Sequence, residues 1–120
     1  MSTKTLGWLL TVFPILGLLS WATAGLPTSP AGEFEGGYAA YAAELGGNPD
    51  RIHVNMGLAA IAYSVLIAAF ISLRGKVAEN SNSVFTALAG VLIVIGYAGT
   101  IAENGAYSAA ASLSSEGLVP

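Results

Sequence analysis

The chain has 120 residues, of which only 9% are Asp, Glu, Lys or Arg and 54% are hydrophobic, and its mean hydropathy is +0.68. An ordinary soluble domain carries roughly 25% charged residues, so this composition excludes a typical water-soluble protein. The net charge of −3 argues against nucleic-acid binding, and the lack of cysteine excludes disulfides and thiolate metal sites.

The first apolar stretch, residues 6–26, predicts a transmembrane helix, because it is long enough to cross the ~30 Å hydrocarbon core of a bilayer. Lys4 before it and the small residues at 22–24 also fit a secretory signal. The apolar stretch exceeds the 7–15 residues of such a signal, so we expect a retained helix. Trp8 and Trp21 are expected to anchor its two ends at the membrane interfaces.

The loop that follows, residues 27–49, contains aromatic side chains at helical spacing. Phe34, Tyr38 and Tyr41 fall on one side of a helix over residues 33–45. This pattern predicts a short amphipathic helix at the interface, where aromatic residues are favoured. Such a helix either contributes to an aromatic belt or docks on a partner subunit.

Two further spans are predicted at residues 50–74 and 84–104. The sequence Asn-Pro-Asp at 48–50 is a helix start signal, and Ser-Asn-Ser at 81–83 offers caps for the third span. The sequence Glu-Asn-Gly at 103–105 is a plausible end for the third helix. Whether the C-terminal tail, residues 105–120, continues as helix is left open.

The basic residues predict the orientation of the chain. Lys4 precedes the first span, and Arg74 and Lys76 lie in the loop 74–83. The positive-inside rule therefore puts the N-terminus and this loop in the cytoplasm. The loop 27–49 and the C-terminus are then expected on the outer side, which is periplasmic, extracellular or lumenal.

His53 is the single histidine, and it lies at the start of the second span. A neutral imidazole in a membrane can ligate the iron of haem or the magnesium of chlorophyll. At this depth it can equally be an interfacial residue that hydrogen-bonds its surroundings. Both interpretations stay open at this point.

Three other polar residues fall in or beside the spans. Asn55 and Tyr63 in the second span are expected to hydrogen-bond a neighbouring helix. Glu103 closes the third span and reaches water. Alternatively, these three residues line a proton or ion path, which would require several copies of so small a chain.

Small residues recur in the second and third spans and permit close helix packing, within the chain or against a partner. The candidates are Gly57, Ala60, Thr86, Gly90, Gly96, Gly99 and Thr100.

The sequence therefore predicts an all-α integral membrane protein with three transmembrane helices and a short interfacial helix in the outer loop. No constellation of residues for catalysis is present, so an enzyme is not expected. The favoured function is an accessory subunit of a larger membrane complex, surrounded by lipid and other integral membrane subunits. A haem- or pigment-binding subunit and a self-associating channel or transporter are the alternatives.

Overall fold

The structure, a computed structural model, describes residues 1–79 and 84–117, so the predicted caps at 81–83 lie outside it. The described part is all-helical, which confirms the expected fold class, and three of its helices are long and apolar enough to cross a membrane. A 3-10 turn at Ala31–Glu33 precedes the second helix. The α-helices are α1 (Thr3–Thr23), α2 (Gly37–Gly46), α3 (Pro49–Ala78) and α4 (Val84–Ser115).

Helix α1 has defined signals at both ends. The Ser2 hydroxyl accepts a hydrogen bond from the Thr5 N–H at 3.1 Å and satisfies one of the free amides of the first turn. At the other end the Ala24 N–H donates to the Trp21 carbonyl. Gly25 follows with φ +77°, a left-handed conformation that stops the helix.

Helix α2 is shorter than predicted. It begins at Gly37 because Gly36 and Gly37 both have positive φ, which breaks the helical path that the aromatic spacing indicated. Phe34 therefore lies before the helix. Its ring still contacts Tyr41 edge to face, with ring centroids 5.5 Å apart.

Helix α3 begins at the predicted Asn-Pro-Asp sequence, with Pro49 in its first turn, although the Asn48 side chain makes no capping hydrogen bond. It continues past Gly75 to Ala78, because a single glycine lowers helix propensity by only about 1 kcal/mol and does not end a helix by itself.

Helix α4 runs well beyond the plausible stop at residues 103–105 and ends at Ser115. Asn104, within the predicted stop, and Ala111, beyond it, are almost fully buried, at 1% and 0% exposure. Packing of the extension against the rest of the chain therefore outweighs the local stop signal. The open question about the tail is answered for residues 105–115, which are helical.

The helices surround α3, which is the central element. Both α1 and α4 pack on it, whereas no Cα atoms of α1 and α4 approach within 8 Å of each other in the described residues. The body measures 55 × 25 × 20 Å. None of the most apolar 18-residue window of α4 is buried inside the protein, as expected for a helix that faces lipid.

Candidate functional site

Polar side chains concentrate at the end of the bundle where α1 ends and α3 begins, called here the α2 end. The Arg51 Nε donates to the Thr23 carbonyl at 2.7 Å. The Asn55 Nδ2 donates to the Arg51 carbonyl, and its Oδ1 lies 2.9 Å from the Thr23 hydroxyl. A cation on the last carbonyls of α1 also complements the helix dipole. These contacts connect the C-terminus of α1 to the first turns of α3.

His53 lies on the other side of α3, facing the extension of α4. Its Nε2 is 2.9 Å from the Ser112 hydroxyl, and the contact is partly buried. In this arrangement the nitrogen that would bind a metal is already engaged. Ligation of haem or chlorophyll through Nε2 would require Ser112 to move away.

Asn104 is buried and Trp21 is half-buried, and each has one buried polar side-chain atom without a hydrogen-bond partner among the described residues. Asn104 Nδ2 reaches the Met56 carbonyl at a long 3.5 Å, while Asn104 Oδ1 and Trp21 Nε1 have no hydrogen-bond partner among the described residues. The Trp21 ring contacts Tyr107 edge to face at 5.5 Å. Trp21 thus packs into the core between α1 and α4, whereas Trp8 is 63% exposed.

Tyr63 lies in the middle of the bundle, within a layer of aromatic rings. It stacks on Tyr97 of α4 at 5.5 Å, and Tyr97 stacks in turn on Phe70 at 5.9 Å. On its other side the ring lies against Gly17 of α1. Tyr63 therefore contacts both α1 and α4, whose Cα atoms do not approach within 8 Å of each other in the described residues.

A groove of about 430 Å³ runs between α2 and the extension of α4 and is named the α2–α4 groove. Tyr38 at its edge is 74% exposed, and Glu103 is also exposed. The groove is otherwise apolar, and Glu103 is its only charged residue. It is lined by Tyr38, Tyr41, Ala42, Leu45, Glu103, Ala106, Tyr107 and Ala110.

Tyr41 lines this groove and is half-buried. Burial, followed by interaction with the Tyr107 hydroxyl and the negative charge of Glu103, raises the pKa of Tyr41 to about 12. The phenol is therefore neutral throughout the physiological range. Close contact of Gly46 with Ser114 fixes the same helix pair, because a Cβ at position 46 would lie 2.7 Å from the Ser114 hydroxyl.

The three polar residues considered for an ion path are dispersed. Asn55 lies between α1 and α3, Tyr63 lies in the aromatic layer, and Glu103 faces the α2–α4 groove. The described part of the chain therefore does not bring the three side chains into one contact.

The small residues do not share one environment. Thr86 and Gly90 line a cleft between α3 and α4, where a Cβ on Gly90 would meet the Arg74 side chain at 2.8 Å. Thr100 donates back to the Gly96 carbonyl within its own helix. By contrast, three glycines have open space where a side chain would be, with nothing within 4 Å: Gly57, Gly96 and Gly99.

Several residues of the α2 end were missed in the sequence, above all Ser112, Tyr107 and Asn104. Tyr107 and Ser112 belong to the extension of α4, and Asn104 lies in the predicted stop just before it. Had the helix been continued past Gly105, positions 104, 107, 108 and 111 would have fallen on one face by their spacing. The alanine-rich composition of this segment was the available signal.

Comparisons of the chain with protein-family models, with curated proteins and with solved structures find no match.

Proposed function

We propose that this chain is a non-catalytic accessory subunit of a larger membrane protein complex, and that it contributes to the assembly or stability of that complex. The surface proposed to contact the other subunits is the exposed side of α3. The single observation that supports this proposal is a row of small residues along the central helix that the chain itself leaves uncovered.

This row, named the α3 seam, consists of Gly57, Ala60, Ser64 and Ala68. The spacings of three, four and four residues keep all four positions on one side of the helix. Gly57, Ser64 and Ala68 are exposed, and Gly57 has no atom of another residue within 4 Å of a Cβ position. The Ser64 hydroxyl donates to the Ala60 carbonyl, so it needs no partner in the membrane.

Lipid gives no advantage to such a row, because a larger apolar side chain would contact the acyl chains at least as well. A second helix packs more favourably on such a row, because small residues allow the two backbones to approach and to make extensive van der Waals contact. Glycine also lowers helix propensity by about 1 kcal/mol relative to alanine. The α3 seam is therefore best explained by a transmembrane helix of another subunit.

The proposed orientation has the N-terminus of α1 and the C-terminus of α3 in the cytoplasm. Thr23 at the end of α1 contacts Arg51 at the start of α3, so the two helices are antiparallel. Lys4, Arg74 and Lys76 consequently belong to the same end of the bundle, as the positive-inside rule requires of a cytoplasmic end. The α2 end then faces the outer side.

The test is the native mass of the protein after extraction from its own membrane in a mild detergent. We expect a mass far above 12.1 kDa, with different proteins co-migrating. Ala68→Leu fills the α3 seam and should release those proteins. Ala98→Leu adds the same volume at an exposed position of α4 and should leave the assembly intact. A monomer or a homo-oligomer in the native extract would refute the proposal.

A further inference from the structure

We propose that the α2–α4 groove binds a quaternary ammonium group, and that its occupant is the headgroup of a choline-type lipid. This inference does not depend on the proposed subunit role. It rests on the aromatic lining of the groove, on the one unpaired charge in it, and on its position along α4.

The lining combines aromatic rings with a carboxylate. Tyr38, Tyr41 and Tyr107 contribute three phenol rings, and Glu103 contributes the charge. The negative face of an aromatic ring attracts a cation within about 6 Å of its centre, and cages of aromatic rings recognise quaternary ammonium ligands in this way. The carboxylate adds a long-range attraction for the same positive charge.

Glu103 is available to a ligand. It forms no hydrogen bond or ion pair with any residue that the structure describes, and no Lys, Arg or His lines the groove. The neighbouring walls are Ala106, Ala110 and Leu45, which offer no acceptors. A primary ammonium brings three N–H donors, for which Glu103 and the tyrosine hydroxyls are the acceptors among the lining side chains. A trimethylammonium group has none, and its methyl groups fit an apolar wall.

The position of the groove favours a lipid over a soluble cation. Residues 84–102 are uncharged, and Glu103 is the first charged residue after them, so the groove opens where the hydrocarbon core gives way to the headgroups. Gly96, Gly99 and Glu103 follow one another at spacings of three and four on one face of α4. Nothing lies within 4 Å of a Cβ at either glycine, so the described residues leave this surface open to lipid below the headgroup.

The experiment uses the purified chain in an uncharged maltoside detergent and in nanodiscs. Phosphatidylcholine should be retained in preference to phosphatidylglycerol, and tetramethylammonium should compete for the site more effectively than sodium at equal ionic strength. Glu103→Gln and Tyr38→Leu, both at exposed positions, should each weaken phosphatidylcholine binding severalfold. Glu116→Gln removes the same charge outside the groove and should have no effect.

Three results would overturn the inference. Equal retention of the two lipids, or phosphatidylcholine binding that is unchanged in Glu103→Gln, would exclude a quaternary ammonium site in this groove. Tetramethylammonium binding as tight as that of the complete lipid would exclude a lipid as the occupant. Circular dichroism of each variant establishes that the helices are intact.

Discussion

The ring of Tyr63 lies directly against the backbone of Gly17, so that a Cβ at position 17 would come within 2.8 Å of Tyr63 Cε1. The ring cannot easily retreat, because its other face stacks on Tyr97. Glycine at this position of α1 is therefore a packing requirement of the three-helix arrangement.

Gly17→Ala is accordingly expected to destabilise the protein, by about 1–3 kcal/mol, through overpacking against Tyr63. The measurement is thermal unfolding of the purified chain in detergent. Gly7→Ala is the matched control, since Gly7 lies in the same helix with nothing within 4 Å of a Cβ. Equal stability of the two variants would contradict the packing that we describe.

Asn55 is expected to stabilise the contact between α1 and α3. Asn55→Ala removes the amide next to the Thr23 hydroxyl and should cost about 0.5–1.5 kcal/mol in the same unfolding measurement. Ser64→Ala is the comparison, because the Ser64 hydroxyl bonds only within its own helix. A loss of stability in Ser64→Ala as large as that in Asn55→Ala would contradict a stabilising role for the interhelical hydrogen bond.

The proposed orientation can be tested by labelling single cysteines, because the natural chain has none. Glu35→Cys lies in the loop before α2, and Gly75→Cys lies near the end of α3 in open surroundings. In intact cells a membrane-impermeant maleimide should modify the cysteine at position 35. The cysteine at position 75 should react only after permeabilisation. The reverse pattern would invert the topology.

The docking of α2 should weaken at high pH. The pKa of Tyr41 is raised from 10.0 to about 12, so its neutral form is favoured in the folded protein. The stabilisation from this group is complete below pH 10 and is lost as the pH rises towards 12. Thermal unfolding should follow this dependence, and Tyr41→Phe should flatten it in that window. Tyr38→Phe serves as the control, and flattening of equal size there would contradict the assignment to Tyr41.

A larger side chain is expected to lower stability at one alanine of the α4 extension and not at another. Ala111 is fully buried, so Ala111→Leu should overpack the α2 end and lower stability by about 1–3 kcal/mol. Ala109 is exposed on the same helix, and Ala109→Leu should be close to neutral. Thermal unfolding distinguishes them. If residues 105–115 were not docked, the two variants would behave alike.

The transmembrane helices were predictable because the membrane imposes length and hydropathy on each span separately, without reference to the rest of the chain. The candidate site was not, because its residues are brought together by long-range packing. His53 and Ser112, for example, are 59 positions apart. Trp21 was expected at the interface on its amphipathic character alone, and only the presence of Tyr107 beside it explains why it packs into the core.

Local signals failed where tertiary contacts opposed them. The Glu-Asn-Gly sequence at 103–105 has the composition of a helix end, yet burial of Asn104 and the packing of Ala111 keep α4 helical to Ser115. The opposite happened before α2, where the aromatic spacing favoured a helix from residue 33 but two left-handed glycines delay its start to Gly37. Hydrophobic periodicity does not report backbone conformation at individual glycines.

The pairing of α2 with the end of α4 has a consequence for biosynthesis. Helix α2 emerges from the ribosome well before the part of α4 on which it docks. At 5–20 residues per second, about 60 residues of delay correspond to roughly 3–12 seconds. During that interval α2 lacks the α4 part of its docking surface, although Leu45 can already pack against Ile52 and Met56 of α3. The docking surface of α2 is complete only when α4 has crossed the membrane.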